Sequence, residues 1–178
     1  MRGNFAWHEL MTTDTQAASA FYPKVTGWKT KAWEHDASYT LFMGNNAPMG
    51  GLMNVPTEAA GAPPSWLIYI ETPDIAGTIA HAQRLGGRVH KEAQDIPEIG
   101  RFAILVDPQG AAFAVIQSQN PAPGTAAKPG QGDFSWHELS TRDHRAAIDF
   151  YSQLFGWRKG PAHAIWRSEE RRVGKECR

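Results

Sequence analysis

The sequence predicts an α+β fold, with two βαβββ modules inside residues 4–118 and the opening of a second copy after them. Three observations carry that prediction. Strand-like and helix-like apolar spacings follow one another in the order strand, helix, three strands, twice over. Gly, Pro, Asn and Asp clusters punctuate them where turns are needed. Phe5 to Trp28 (FAWHELMTTDTQAASAFYPKVTGW) returns at an offset of 129 as Phe134 to Trp157 (FSWHELSTRDHRAAIDFYSQLFGW), with 13 of 24 positions identical.

In the first module, Phe5 to Thr13 alternates as a strand does, and Asp14 is placed to accept a backbone N–H as a helix N-cap. Ala18, Phe21, Tyr22 and Val25 fall at i, i+3, i+4 and i+7, one face of a helix that Gly27 can end. Lys29 to Trp33, Tyr39 to Met43 and Gly51 to Val55 supply three short strands, and Ala59 to Pro64 is a joining loop. The second module repeats the pattern. Trp66 to Glu71 is strand-like, and Ile75, Ile79, Ala82 and Leu85 mark a helix closed by Gly86-Gly87. A strand begins at Arg88, and Phe102 to Val106 and Ala112 to Ile116 flank the turn Asp107-Pro108-Gln109-Gly110. Residues 119–133 are rich in Pro, Gly and Ala and read as a linker. Residues 134–166 then begin a second unit that stops short.

The last twelve residues, Arg167 to Arg178, have no apolar period and eight charged positions. Their sequence resembles the in-frame translation of a common DNA-sequencing adapter, so residues 167–178 are expected to be an artefact tail. Cys177, the only cysteine, lies within it. The remainder therefore has no thiol for a disulfide, a nucleophile or a thiolate metal site.

Composition narrows the function. Lys+Arg and Asp+Glu number 18 each in 178 residues, which excludes the broad basic footprint of a nucleic-acid binder. Hydrophobic residues make up 42%, a globular value. No apolar run approaches a membrane span, and the first residues carry no apolar signal core. The expectation is a cytoplasmic protein without nucleic-acid or membrane partners. No G-x-S-x-G, Walker or G-x-G-x-x-G motif is present.

Trp7-His8-Glu9-Leu10, Phe21-Tyr22 with Gly27-Trp28, Gly86-Gly87-Arg88-Val89, Asp95-Ile96-Pro97, Gly100-Arg101-Phe102 and Asp107-Pro108-Gln109-Gly110 occur in a characteristic order. In these residues the chain resembles the vicinal oxygen chelate superfamily of glyoxalases, bleomycin-resistance proteins and extradiol dioxygenases. It is most similar to tandem-domain glyoxalase-like members related to the Streptomyces regulator SgaA. The resemblance covers residues 4–118 fully and the truncated copy in part. It implies paired βαβββ modules forming a curved mixed sheet around a cleft, which in metal-dependent members holds a divalent ion on His and Glu.

The ligand positions that the resemblance implies fall here on Trp7, Trp66 and Ala114, with no His or Glu near Gly50 to Asn54. Trp and Ala offer no lone pair to such a cation, so no metal is expected. Trp7, Glu9, Trp66 and Ala114 are instead the candidate cleft, taking a small, flat, partly apolar molecule between the two indoles. The alternative use of the Trp residues is as ordinary core. Glu9 against indole should have a raised pKa, suiting acid–base work or a cationic ligand, with a structural bond to backbone as its alternative. His8, on the other strand face, is expected to be a hydrogen-bonded core histidine. The competing reading is a metal-dependent lyase, isomerase or dioxygenase with a divalent ion on His8 and Glu9. Phe150, Leu154, Phe155 and Trp157 of the incomplete copy are expected to be exposed and to promote self-association.

Overall fold

The computed structural model describes residues 3–44, 47–59, 61–121 and 130–160. The artefact tail expected at 167–178 lies outside these residues, as does most of the linker. The elements are β1 (Phe5–Thr12), α1 (Thr15–Thr26), β2 (Lys29–Trp33), β3 (Asp36–Gly44), β4 (Ala47–Asn54), β5 (Ser65–Glu71), α2 (Ile75–Arg84), β6 (Arg88–Ile96), β7 (Gly100–Val106), β8 (Ala112–Ser118) and α3 (His144–Phe155). Each helix starts where an Asp side chain accepts from the first turn: Asp14 from Ala17 N, Asp74 from Gly77 N, Asp143 from Arg145 N and Ala146 N. Gly27 and Gly156 close α1 and α3 at φ 79° and 74°, a left-handed backbone that glycine adopts without strain.

The eight strands form one curved sheet in the order β2-β3-β4-β1-β5-β8-β7-β6. Each module contributes one half. In each, the last strand returns parallel to the first, β4 to β1 and β8 to β5. The halves join through antiparallel β1 and β5, where Glu9 is opposite Leu67 and Leu10 opposite Trp66. Because side chains alternate, this register assigns every residue of β1 and β5 to one of two faces.

The helices cover one face. Ile70, Ala103, Leu105, Phe113 and Val115 from the second half pack with Ile75 and Ala82 of α2. Phe150, Leu154 and Phe155 of α3 join the same cluster, so they are buried rather than exposed as the sequence suggested. Trp157 is half-buried and donates through Nε1 to the Gly3 carbonyl at 2.9 Å. The correction has a simple cause: the second module of the first unit supplies an apolar seat for α3. The other part of the repeat behaves differently. Residues 134–142 match β1 in sequence but form no strand, and no described strand pairs with them. The β2–β3–β4 part of the sheet is covered by a second cluster, Leu10, Trp28, Phe42 and Leu52, with Tyr22, Trp66 and Phe134 against it.

Candidate functional site

The face turned away from the helices carries Trp7, Glu9 and Met11 of β1, Leu67 and Tyr69 of β5, and Ala114 and Ile116 of β8. Glu9 is its centre. This carboxylate is buried, with Oε1 accepting from Tyr69 Oη at 3.0 Å and Oε2 from Tyr39 Oη at 2.9 Å. Tyr39 Oη in turn accepts from Trp7 Nε1 at 2.9 Å. The result is a fixed chain from indole to phenol to carboxylate, met by a second phenol from the opposite side.

Tyr39 reaches Glu9 from β3 by lying across β4. Gly51, the β4 residue paired with Glu9, permits this. A Cβ there would collide with the Tyr39 hydroxyl. Glycine is thus required by close approach rather than by backbone angle.

Burial raises the Glu9 pKa above the ordinary carboxylate value, opposed by the two tyrosine hydrogen bonds and by the Lys91 charge. Lys91 sits 5.6 Å above the centre of the Phe102 ring, on the same side of the sheet. Burial, with the Glu9 charge next in weight, raises both tyrosines as well, so they stay protonated as donors. A carboxylate oxygen can accept about two hydrogen bonds. One site on each Glu9 oxygen is used by tyrosine, which leaves each oxygen capacity for one further donor.

Of the residues expected to form the cleft, Trp7, Glu9 and Ala114 share this face, with Ala114 paired to Tyr69. Trp66 does not. Its register partner is Leu10, so it points under the helices, donates to Tyr22 Oη at 3.2 Å and packs against Trp28 and Phe42. The seven-residue count back from the helix-capping Asp74 lands on Leu67, and counting to Trp66 slips by one. A slip of one residue reverses the face of a strand side chain. The two indoles therefore do not form a sandwich.

His8 also points away from Glu9. Its ring stacks on Phe134 at 3.7 Å, and its Nε2 lies 2.6 Å from Nε2 of His137. Burial, then the neighbouring His137, lowers its pKa to about 4. His8 and Glu9 thus cannot share an ion. Trp7, Gly51, Leu67 and Ala114 at the expected ligand positions carry no donor for a divalent cation, and Glu9 alone is too few. Among the described residues no three His, Cys, Asp or Glu side chains converge. The residues present do not fit the metal centre that the fold implies.

Sequence reasoning missed Tyr39, Tyr69, Lys91 and Gly51. Tyr69 was within reach: it follows Glu9 by the same sixty positions that separate Asp14 from Asp74. Tyr39 and Lys91 come from strands whose register a single sequence does not reveal.

The sequence and the fold have relatives. The mycobacterial protein CFP32, provisionally named a glyoxylase, is 40% identical over 123 residues, covering 68% of this chain and 45% of its own length in Mycobacterium tuberculosis. The anthracycline biosynthesis protein DauV of Streptomyces sp. is 27% identical over 181 residues, covering 90% of this chain and 66% of DauV. The chain thus spans about half the length of CFP32. The Mn(II)-bound glyoxalase of Novosphingobium aromaticivorans superposes with a TM-score of 0.64 at 19% identity, over 88% of this chain and 54% of that one. At that identity the likeness establishes the fold alone. No helix among the described residues is long and apolar enough to cross a membrane. Residues 4–115 match the family description directly, and the chain belongs to the glyoxalase/bleomycin resistance protein/dioxygenase superfamily.

Proposed function

We propose that this chain is a metal-free binding module of the glyoxalase/bleomycin-resistance type. Its ligand is a small, flat, partly apolar molecule that presents a hydrogen-bond donor or cation to Glu9. The observation that carries the reading is the Glu9 carboxyl held by Tyr39 and Tyr69 on a face lined by Trp7, Leu67, Phe102 and Ile104. Apolar side chains supply the surface, and one oriented acid supplies selectivity. Flat polycyclic compounds are the first class to screen, because DauV is named for anthracycline biosynthesis and its match covers 90% of the chain.

The test is titration of amine-bearing and amine-free polycyclic compounds, followed by the Trp7 fluorescence difference between wild type and Trp7→Phe. Glu9→Gln should weaken only the amine-bearing ligands, by about tenfold, the effect of a charge-assisted hydrogen bond. No binding by any member, or equal weakening of both classes, would sink the proposal. The metal-dependent lyase, isomerase or dioxygenase reading is tested by mass-spectrometric metal analysis after incubation with Ni, Zn, Mn and Fe(II). A stoichiometric ion would replace the metal-free account.

We infer further that the chain derives from a tandem-domain protein of the SgaA-like kind. The 24-residue repeat and the 45% coverage of CFP32 support this. The adapter-like residues 167–178 are consistent with a gene interrupted inside its second unit. The codons of that stretch settle the matter: synonymous codons that differ from the adapter would exclude it.

A further inference from the structure

The repeat lies against the first unit about a local two-fold, and its contacts come in exchanged pairs at the offset of 129. Phe134 stacks on His8 at 3.7 Å, and Phe5 stacks on His137 at 3.7 Å. Trp28 Nε1 donates to the Gly132 carbonyl at 2.7 Å, and Trp157 Nε1 donates to the Gly3 carbonyl at 2.9 Å. The Trp28–Phe134 and Trp157–Phe5 ring centres are both 5.4 Å apart. His8 and His137, equivalent to each other, meet where the axis passes. Gly3, Phe5, His8 and Trp28 thus face a copy of themselves. A surface of this isologous kind is self-complementary by construction.

At the helices the symmetry is left half-used. α3 lays Phe150 and Leu154 on the α2–β7–β8 face of the first unit, and Ala147 is buried on the same stripe. Tyr151 Oη donates to Asp107 Oδ2 at 3.2 Å, and the Gln109 side chain holds the Asp143 backbone at 2.8 and 2.9 Å. The counterparts of these residues on α1 are Ala18, Phe21, Val25, Tyr22 and Asp14. Phe150 and Leu154 are 4% and 0% exposed, whereas Phe21 and Val25 are 57% and 65% exposed. Applying the two-fold to α3 in its seat places α1 against the equivalent α2–β7–β8 face of a second unit, a face that another copy of this chain carries.

We propose that the α1 face bearing Phe21 and Val25 is a docking surface for a second copy of this chain, whose α2–β7–β8 face receives α1 in the seat that α3 fills within one chain. The exchange is reciprocal, so one dimer contains two such seats. The tether between β8 and α3 holds the competing helix at an effective concentration of roughly millimolar. At micromolar protein the intact chain therefore keeps its own α3 in place and stays monomeric. Pairing requires α3 to be lifted. This surface is separate from Glu9 and independent of any ligand.

The full chain supports a direct test by sedimentation velocity. Wild type should sediment as a monomer. Phe150→Asp with Leu154→Asp lifts α3 and should double the mass. Adding Phe21→Asp and Val25→Asp, both at exposed positions, should restore the monomer. A peptide of residues 130–160 in excess should also dissolve the dimer by reoccupying the seat. Should the charged pair lose the folded circular-dichroism signal, Phe150→Ala with Leu154→Ala lifts α3 more gently and carries the same expectations. A folded, lifted variant that remains monomeric overturns the proposal. So does association that survives the α1 substitutions or ignores the peptide.

Discussion

α1 and α3 share their caps, an Ala-Ala pair and a Phe-Tyr pair, and they end in opposite surroundings. Both open on an Asp cap and close on a left-handed Gly, and both carry Ala, an aromatic pair and an aliphatic residue on one stripe. α1 buries none of its residues completely, while α3 buries Ala147, Phe150, Leu154 and Phe155. The shared caps and aromatic pair do not account for the difference, although α3 also carries Phe155 where α1 has Thr26. It arises from the partner surface: the α2–β7–β8 face receives α3, and among the described residues no equivalent face covers Phe21 and Val25 of α1. An amphipathic stripe specifies that a face wants covering; a separate part of the chain decides whether it is covered.

The largest expected effect tests that contrast by truncation. Phe150→Ala opens a cavity in the main cluster and should cost about 3–5 kcal/mol, while its counterpart Phe21→Ala should cost under about 0.5 kcal/mol. Urea denaturation of both variants checks it. Equal losses would mean that α3 is not seated as described, and the contrast would collapse.

Acid separates the two faces of β1 with a smaller effect. His8 is held neutral, its pKa lowered from 6.5 to about 4 by burial and then by His137. A base whose folded pKa is depressed stabilises above its unfolded value and loses that contribution as pH falls from about 6.5 through 4. Glu9 has the opposite sign: its raised pKa favours the protonated, folded form, so its contribution is present at low pH and is lost as pH rises. The joint with the repeat should weaken on acidification while the Glu9 site does not. Unfolding free energies followed from pH 7 to 4 should fall less in His8→Phe with His137→Phe, by about 1–3 kcal/mol, and should fall more steeply than wild type in Glu9→Gln. A His8→Phe, His137→Phe variant as acid-sensitive as wild type would remove the imidazole pair from the account.

Much of this was legible before any coordinates. The Asp14 cap, the helix-ending glycines, the order of elements and the alternation that parts Trp7 and Glu9 from His8 all follow from local sequence signals. The failures share a cause, which is register. Trp66 and Leu67 differ by one position, yet only pairing with β1 decides which faces Glu9. Tyr39 becomes a partner of Glu9 because Gly51 leaves a passage across β4, a relation among three strands that no local pattern encodes. The seat for α3 is likewise tertiary. Its counterpart α1 leaves Phe21 and Val25, which correspond to Phe150 and Leu154, exposed.

The smallest expected effect is the one that asks whether the two-fold is energetic or only geometric. Single substitutions at Phe5 and Phe134 cannot answer, because Phe134 also leans on Trp28 and Trp66 while Phe5 is exposed at the edge. Double-mutant cycles cancel those unequal surroundings and leave the pair term. The Phe5–His137 and Phe134–His8 stacks share a 3.7 Å separation and interplanar angles of 11° and 13°. Each coupling should therefore be about 0.5–1.5 kcal/mol, the range for stacked aromatic pairs, with the two equal to within the error of the cycle. Equal couplings would mean that each copy recognises the other by the same chemistry, the condition for exchanging partners between chains. A coupling confined to one stack would make the joint a one-sided docking of the repeat, and the exposed face of α1 would then lose the symmetry that assigns it a partner.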